Sequence, residues 1–286
     1  MIQGRLVLVA TPIGNLGDMT LRATEVLATA DVLACEDTRR VRALLSHLGI
    51  SAGSRLLAVH GHNEAGKVDG ILGCLERGQT VAVVTDAGTP AVSDPGFRLV
   101  AAAVAAGHTV VAVPGPSAVL AALVVSGMDP TRFCFEGFLP RSGCDRRRAI
   151  QALVRERRTV VIFESPKRVA ATITELADRL GGSRRVALAR ELTKKHEEVW
   201  RGDLAGAAVH LAETSARGEF VVVIEGAEAP APPTDMAIEA ALSRHRDMGE
   251  SRRQAMTEVI AELDAPRNQV YRVATELSFE DTRRNP

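Results

Sequence analysis

Two β-branched runs that stop abruptly at glycine, proline and small hydroxyl residues constrain this chain most. The first run leads into VTDAGTPAVSDPG, beginning at Val84, and the second into VPGPSA, beginning at Val113. Buried parallel strands that end in exposed loops have this composition, because glycine lacks a Cβ, proline stiffens the turn and Ser or Thr supplies short hydrogen-bonding groups. Two such strand ends in one half of the chain predict a shared ligand crevice at the carboxyl edge of a sheet.

The hydrophobic pattern predicts two successive α/β units. In the first unit, strands are expected at 5–10, 32–35, 56–60, 80–85 and 109–113, and helices at 21–30, 38–48, 65–77, 97–106 and 117–126. In the second, strands are expected at 133–136, 159–164, 185–190, 198–201 and 220–225, and helices near 145–157, 167–180 and 203–217. Strands that alternate with crossover helices predict a parallel α/β sheet in the first unit.

These patterns divide the chain into four parts. The expected boundaries are an N-terminal α/β domain at 1–127, a second α/β domain at 128–226, a linker (AEAPAPP) at 227–233 and a helical extension at 234–286. The linker is assigned by its proline and alanine content. The extension has a predicted capping box at Ser251 and Gln254 and a break at Asp264–Pro266.

Composition excludes several classes of protein. The 286 residues have a formal net charge of zero, so the overall charge does not point to nucleic acid. The four cysteines lack the CxxC spacing of a zinc site, and no metal site is predicted. The N-terminal apolar stretch is too short for a signal peptide, and Pro114-Gly115-Pro116 interrupts the uncharged stretch from Leu99 to Met128. We therefore expect a cytoplasmic protein without a membrane span.

Two glycine-containing loops resemble nucleotide sites only superficially. TPIGNLGD (11–18) follows the first strand but lacks the G-x-G-x-x-G spacing of a dinucleotide fingerprint. GHNEAGKV (61–68) has the glycine and lysine spacing of a P-loop, but Val68 stands where a hydroxyl residue must bind magnesium. These departures argue against a nicotinamide or flavin site and against nucleotide hydrolysis.

Charged residues cluster after two predicted strands and in one basic segment. CEDTRR places Glu36 and Asp37 at a strand end, where Asp37 or Thr38 could also serve as a helix N-cap. ARELTKKHEE places Glu191 and Lys194 after another strand, although a solvated charged turn has the same composition. The segment 138–158 suits a phosphate backbone, or a solvated helix face, through several arginines that include Arg141, Arg146, Arg147 and Arg148.

Taken together, the motifs resemble one family. The segments LVATPIGNLGDMTLRA, ACEDTRR, HGHNE, VTDAGTPAVSDPG, VPGPSA, FEGFLPR, FESPKR, ARELTKKHEE and GEFVVVIEG occur here in the order found in the ribosomal RNA small subunit methyltransferase I family. The resemblance covers roughly Leu6 to Glu225. It implies the tetrapyrrole methylase (class III methyltransferase) architecture, with two α/β domains, S-adenosylmethionine (SAM) in the cleft between them, and a homodimer.

The resemblance also implies an activity and site residues. The expected activity is SAM-dependent methylation of a ribose 2′-oxygen of a cytidine in the decoding region of 16S rRNA, within the 30S ribosomal subunit. Carried over by motif, the expected SAM-binding residues are Pro12, Gly88, Thr89, Pro90, Ser93, Pro114, Ser117, Ala118 and Ser165. GNLGD replaces the G-x-G-x-G-D of the precorrin and uroporphyrinogen methylases, which favours RNA over a porphyrinoid substrate.

Methyl transfer to a ribose hydroxyl requires alignment of the reacting groups and removal of a proton. Glu36, Asp37 or Glu191 is expected to supply this base or to orient the hydroxyl, with Lys194 lowering the pKa of that carboxylate. Arg39, Arg40 and the run Arg146–Arg148 are expected to bind phosphates. Two alternatives remain open at this point: a tetrapyrrole methylase with a wide apolar cleft, and a ribosome-assembly factor that binds RNA without catalysis.

Overall fold

The computed structural model describes residues 4–214, 216–228 and 232–277. Residues 229–231 of the expected linker and residues 278–286 of the expected extension therefore lie outside the described part. The chain separates into two compact units, Met1–Ala227 and Glu228–Pro286. The first unit contains both sheets, and each unit is described by itself.

The first sheet has five parallel strands in the order β3-β2-β4-β1-β5. Its strands are β1 (Arg5–Val9), β2 (Val32–Cys35), β3 (Leu56–Ala58), β4 (Thr80–Val84) and β5 (Thr109–Val113). The helices that connect them are α1 (Leu21–Thr29), α2 (Thr38–His47), α3 (Glu64–Glu76) and α4 (Phe97–Ala105). The predicted parallel sheet is confirmed, and because its strands are parallel, their carboxyl ends all lie at one edge.

Helices cover both faces of the first sheet. Side chains of α1 and α2, such as Leu27 and Leu45, are fully buried against one face. Side chains of α3 and α4, such as Ile71 and Leu99, are buried against the other. This three-layer arrangement explains the nearly continuous hydrophobic strands, because a parallel sheet is buried on both sides.

The second sheet is mixed, with strand order β6-β7-β10-β8-β9. Its strands are β6 (Phe133–Phe138), β7 (Thr159–Glu164), β8 (Arg185–Arg190), β9 (Glu198–Asp203) and β10 (Phe220–Ile224). Three helices pack on one face of this sheet: α6 (Gly143–Arg155), α7 (Val169–Leu180) and α8 (Leu204–Glu213). Strand β10 runs antiparallel to β7 and β8, so its amino end lies beside their carboxyl ends.

One helix connects the two sheets. Helix α5 (Ala118–Ser126) begins just after β5 of the first sheet, but it packs on the open face of the second sheet. Val119 and Leu123 of this helix are buried against Val161 and Val221. A helix that the sequence pattern placed in the first domain therefore belongs to the core of the second sheet.

The second compact unit contains three helices in its described residues. They are α9 (Asp235–Asp247), α10 (Arg252–Leu263) and α11 (Arg267–Glu276), and their apolar faces bury Ile238, Val259 and Val270. The capping box at Ser251 and Gln254 is present, and α10 ends at Asp264 in a left-handed conformation. The predicted capping box and break are confirmed.

The P-loop-like segment has a structural role. Glu64, at the start of α3, is buried, and its Oε1 accepts hydrogen bonds from the backbone N–H groups of Gly96, Arg98 and Leu99 at 2.9–3.3 Å. These donors form the first turn of α4, where backbone N–H groups lack partners within the helix. A carboxylate that caps a neighbouring helix is not a phosphate cradle.

We expect Glu64→Ala to lower the free energy of unfolding by about 1–3 kcal/mol, because it leaves buried backbone donors without an acceptor. Urea unfolding followed by circular dichroism measures the change. Glu76→Ala, at an exposed position of the same helix, is the matched control. Equal stability of the two variants would contradict this capping role.

Candidate active site

A cleft lies between the two sheets of the first compact unit. It encloses about 320 Å³, which is within the ordinary range of small-molecule sites. Its walls come from loops after β1, β4 and β5 on one side and from the ends of β6, β7 and β10 on the other. The lining residues are Ile13, Ala87, Gly88, Thr89, Val92, Ser93, Asp94, Ser117, Ala118, Val119, Phe138, Phe163, Glu164, Ser165, Pro166, Glu219, Phe220 and Val221.

The three loops of the first sheet are tied together by hydrogen bonds. Thr11 and Gly88 exchange two backbone hydrogen bonds at 2.9 and 3.0 Å. The hydroxyl of Thr11 donates to the carbonyl of Thr85 at 3.3 Å, and that of Thr89 donates to the carbonyl of Pro116 at 3.2 Å. These bonds hold the cleft wall in shape without a ligand.

Backbone strain is concentrated in the loops around the cleft. Of the five described non-glycine residues with positive φ, four lie here: Ala91, Ser93, Glu191 and Thr193, with φ between 50° and 68°. Such conformations are unfavourable for residues with a Cβ and persist where the surrounding structure enforces them. Gly88 also has φ of 84°, and its missing side chain leaves room beside Ile13.

An ion-pair group stands at the edge of the second sheet. The Nζ of Lys194 lies 2.9 Å from Oε1 of Glu191 and 2.8 Å from Oε2 of Glu219. Glu191 Oε1 also accepts a hydrogen bond from the backbone N–H of Glu219 at 2.9 Å. The hydrogen bond from Lys194 lowers the pKa of Glu191, and burial partly opposes that effect. Glu191 is therefore held as a paired carboxylate, a poor proton acceptor.

Four carboxylates follow β2 and β4. Asp37 is the N-cap of α2, and its Oδ atoms accept from the backbone and side chain of Arg39 at 2.8–3.2 Å. Those hydrogen bonds hold the pKa of Asp37 well below its usual range. Asp86 accepts from the backbone N–H of Asp37 at 3.1 Å and pairs with Arg40 at 3.4 Å. The N-cap alternative for Asp37 is thus observed, and Asp37 is a weak candidate for a base.

Two members of this acidic group have raised pKa values. Burial, together with the charge of Asp86, raises the pKa of Glu36. Burial and the charges of Glu36 and Asp86 raise the pKa of Asp94 to about 7. Asp94 lines the cleft, whereas Glu36 does not.

Six of the nine residues expected to bind SAM line the cleft: Gly88, Thr89, Ser93, Ser117, Ala118 and Ser165. The other three are prolines of the same loops. Pro90 is buried, Pro114 is exposed outside the lining, and Pro12 lines a separate cavity. These prolines shape the turns and do not face the cleft.

A second cavity, of about 290 Å³, lies beside the loop after β1. Its lining includes Pro12, Leu16, Leu44, His47 and Asp86, together with Arg40. The Arg40 side chain is 67% exposed, and the neighbouring Arg39 side chain is also exposed although it pairs with Asp37. This cavity combines apolar side chains with the ion pair between Arg40 and Asp86.

The structure corrects one predicted phosphate contact. Arg146 is buried, and its guanidinium donates to Glu175 at 2.7 Å, to Thr172 Oγ1 at 3.1 Å and to the carbonyl of Pro140 at 3.1 Å. A guanidinium enclosed in this way cannot reach an RNA phosphate. Helical periodicity explains the difference, because consecutive residues of a helix point to different faces and one of the three arginines faces α7.

The other predicted arginines of this segment are exposed. Arg141 lies just before α6, and Arg147 and Arg148 lie on the outer face of α6. Arg147 and Arg148 line a surface groove of about 370 Å³ with Arg179 of α7. Arg179 was not identified from the sequence, because its proximity depends on how α6 and α7 pack.

Sequence reasoning missed three carboxylates that line the cleft, although each lies within a motif quoted above. Glu164 ends β7, and Glu219 precedes β10. Asp94 lies within VTDAGTPAVSDPG, and its place in that glycine- and proline-rich loop was the available signal.

Within the described part of the chain, no group of three or more His, Cys, Asp or Glu residues could hold a metal ion. No described helix is long and apolar enough to cross a membrane.

The Lys194 ion pairs should stabilise the fold most near neutral pH. Glu191 has a pKa lowered from 4.5, so its contribution is present above that value and is lost on acidification. Burial lowers the pKa of Lys194, but hydrogen bonds to Glu219 and Glu191 outweigh it and the pKa is raised from 10.5, so this contribution disappears only at high pH.

Lys194→Met is therefore expected to lower the free energy of unfolding by about 1 kcal/mol or less at pH 7, since the pairs are partly exposed. The difference from the unmodified protein should shrink as the pH falls towards 3 in thermal unfolding experiments. Lys195→Met, at the exposed neighbouring position, should change little at either pH. A difference for Lys194→Met that stayed constant with pH would contradict the ion-pair account.

Comparison with known proteins identifies the family. The family model "Tetrapyrrole (Corrin/Porphyrin) Methylases" matches residues 5–208. The chain is similar to ribosomal RNA small subunit methyltransferase I of Synechocystis, with 44% identity over 96% of this chain and 98% of that protein. It is also similar to the proteins of the same name from Mycobacterium tuberculosis, at 51% identity over 79% of each chain, and Escherichia coli O157:H7, at 46% over 79% of each.

Solved structures share the fold at low sequence identity. A cobalt precorrin-4 methyltransferase superimposes with a TM-score of 0.58 at 18% identity, covering 78% of this chain and 94% of that one. Uroporphyrin-III C-methyltransferase from Thermus thermophilus, solved in complex with S-adenosylhomocysteine, gives a TM-score of 0.55 at 21% identity, covering 78% and 97%. The two-sheet fold and these relatives together establish that the chain belongs to the ribosomal RNA small subunit methyltransferase I family of the tetrapyrrole methylases.

Proposed function

We propose that this protein uses SAM to methylate the ribose 2′-oxygen of a cytidine in the decoding region of 16S rRNA, within the small ribosomal subunit. The observation that carries the proposal is the agreement between the preformed cleft and relatives of 44–51% identity that are named ribosomal RNA small subunit methyltransferase I. The porphyrinoid methylases share the fold at only 18–21% identity, which says little about the substrate.

The cleft fits the chemistry of SAM, which supplies a methyl group on a positively charged sulfur. Ile13, Val92 and Phe163 offer apolar surface for an adenine ring. The hydroxyls of Ser93, Ser117 and Ser165 and the backbone at Gly88 and Thr89 supply polar contacts. Glu164 and Glu219 contribute carboxylates to the second-sheet side of the cleft, which suits a cationic donor.

The contribution of the protein to the transfer is chiefly positional. The braced loops hold the donor while the second sheet closes the other side of the cleft, so that the hydroxyl can approach in line with the methyl group. Thr89 fixes two loops relative to each other through its hydrogen bond to Pro116 at 3.2 Å. No step requires a covalent bond to a protein side chain.

Exposed arginines offer contacts for the RNA. Arg40 stands at the rim of the second cavity, where a phosphate could lie above a base that rests on Leu16 and Leu44. Arg147, Arg148 and Arg179 form a separate cationic groove on α6 and α7. A target nucleotide splayed out of the ribosomal RNA would be bound through its flanking phosphates at these two places.

We extend the proposal to a homodimer in the cytoplasm, where ribosomal subunits are found. The outer face of α5 exposes Leu120 and Val124 at 52% and 72%. The segment from Leu99 to Met128 contains no Asp, Glu, Lys or Arg. Exposed apolar side chains are typical of a contact surface between protein chains, and a second copy of this chain is the proposed occupant.

Labelled SAM tests the proposed activity directly. Incubation with small subunits from a strain that lacks this protein should transfer label to a cytidine ribose of 16S rRNA, while a tetrapyrrole precursor should gain none.

Gly88→Val should weaken SAM binding at least tenfold in calorimetry, because a β-branched residue is strained at φ of 84° beside the cleft.

Gly49→Val is the matched control, since Gly49 has φ of 70° but lies away from the cleft. Label on the tetrapyrrole instead of the RNA would support the porphyrinoid alternative. SAM binding without transfer to either substrate, or no SAM binding at all, would contradict the proposed activity. Sedimentation equilibrium of the same preparation tests the dimer against the mass of the 30.4 kDa chain.

The cationic groove leads to a separate prediction. The double variant Arg147→Gln and Arg148→Gln should bind small subunits roughly tenfold more weakly, with a smaller dependence of affinity on salt, because fewer counterions are released. Its affinity for SAM should not change. A control that replaces the exposed Arg5 and Arg22 should bind like the unmodified protein; an equal loss in the control would show that the effect is one of general charge.

A further inference from the structure

Three carboxylates line the cleft: Asp94, Glu164 and Glu219. Two of them are occupied by partners within the protein. Glu164 is buried and accepts from Thr172 Oγ1 and from the backbone N–H of Ser165, both at 2.8 Å, with Arg168 at 3.4 Å. Glu219 pairs with Lys194 at 2.8 Å. Both carboxylates therefore already have hydrogen-bond donors or cations as partners.

Asp94 differs from both. Among the described residues, none donates a hydrogen bond to its carboxylate or forms a salt bridge with it, and the charged groups that act on it are the carboxylates of Glu36 and Asp86. The side chain is half-buried at the end of the strained Ala91–Ser93 turn, in the wall of the cleft. A carboxylate in this setting gains a proton readily, because burial and like charges both disfavour the ionised form.

The carboxylates proposed from the sequence are less well placed. Asp37 caps α2 and is paired with Arg39 at 2.8 Å, and Glu191 is paired with Lys194 at 2.9 Å. Neither these two nor Glu36 lines the cleft. Glu36 and Asp86 therefore act on the cleft through the effect of their charge on Asp94.

We propose that Asp94 is the general base of the methyl transfer, the group that takes the proton from the acceptor hydroxyl; this inference rests on the proposed function. The oxygen–methyl bond forms as the sulfur–methyl bond breaks. The hydroxyl proton passes to a carboxylate oxygen of Asp94, and the positive charge of the donor is lost with its methyl group. The products are the methyl ether, the neutral thioether and a protonated Asp94, so atoms and charge balance.

The surroundings of Asp94 set the expected pH dependence. Glu36 and Asp86 face it from the ends of β2 and β4, with Arg40 paired to Asp86 at 3.4 Å. Glu164 with Arg168 and Glu219 with Lys194 face it across the cleft. Since the pKa of Asp94 is about 7 and a base must be unprotonated, the rate should rise with pH through about 7 and then level.

Single-turnover methylation of small subunits at saturating SAM tests the inference, together with SAM binding measured by calorimetry. Asp94→Asn should bind SAM within about threefold of the unmodified protein. Its transfer should be at least 100-fold slower, the order expected for loss of a general base, and should no longer rise with pH. Asp94→Glu should recover part of the rate and of the pH dependence. Asp69→Asn, at an exposed position of α3, is the matched control and should leave both measurements unchanged.

Three results would overturn the inference or its basis. An Asp94→Asn rate within fivefold of the unmodified protein would show that Asp94 does not take the proton. Asp94→Asn could instead bind SAM more weakly and still transfer the methyl group at the unmodified rate when SAM is saturating. That result would assign Asp94 to SAM binding. If the unmodified protein binds SAM but methylates no small subunit, the proposed function is wrong. The assignment of Asp94 as general base then has no reaction to rest on.

Discussion

The packing of α5 on the second sheet is the interaction on which the cleft depends. This helix begins at Ser117, directly after the glycine- and proline-rich turn that follows β5, and its first residues line the cleft. Val119 and Leu123 are buried against strands of the second sheet, and burial of such side chains contributes about 1.5–3 kcal/mol each. The first residues of α5 continue the cleft loop that follows β5 of the first sheet, whereas the rest of the helix packs on the second sheet. The first-sheet and second-sheet sides of the cleft therefore cannot separate without exposing this apolar surface.

Electrostatics then divides the carboxylates around the cleft into two groups. Glu164, Glu191 and Glu219 are held by cations or hydrogen-bond donors, and they maintain the shape of the second-sheet wall. Glu36 and Asp94, on the first-sheet side, have raised pKa values because burial and the charge of Asp86 act on them. A site that must bind a cation and also accept a proton needs both kinds of carboxylate, and here they lie on opposite walls.

Much of the fold could be predicted from the sequence because its signals are local. The bounds of β2, β5, β7 and β8 agree with those expected, since short apolar runs end at turn residues whose chemistry is unambiguous. The association of α5 with the second sheet could not be predicted in this way. That helix is apolar on all sides, so its pattern does not indicate which sheet it covers.

The candidate site was predictable as a set of loops more than as a set of side chains. Small residues such as Gly88, Ser93 and Ser117 follow from loop composition, and they do line the cleft. Whether each charged side chain is buried, paired or open to the cleft depends on partners that are distant in the sequence. Arg146 is enclosed by Glu175 and Thr172, Asp37 is engaged as a cap, and Asp94 has only like charges for neighbours. None of these environments can be read from a spacing along the chain.

The left-handed residues Ala91, Ser93, Glu191 and Thr193 have a consequence for ligand recognition. Folding has already forced these turns into conformations that an isolated peptide would avoid, so the walls do not have to be ordered when a small molecule arrives. Less of the binding free energy of a ligand is therefore needed to order the protein. This rigidity is obtained at the expense of overall stability, because each strained residue costs free energy in the folded state.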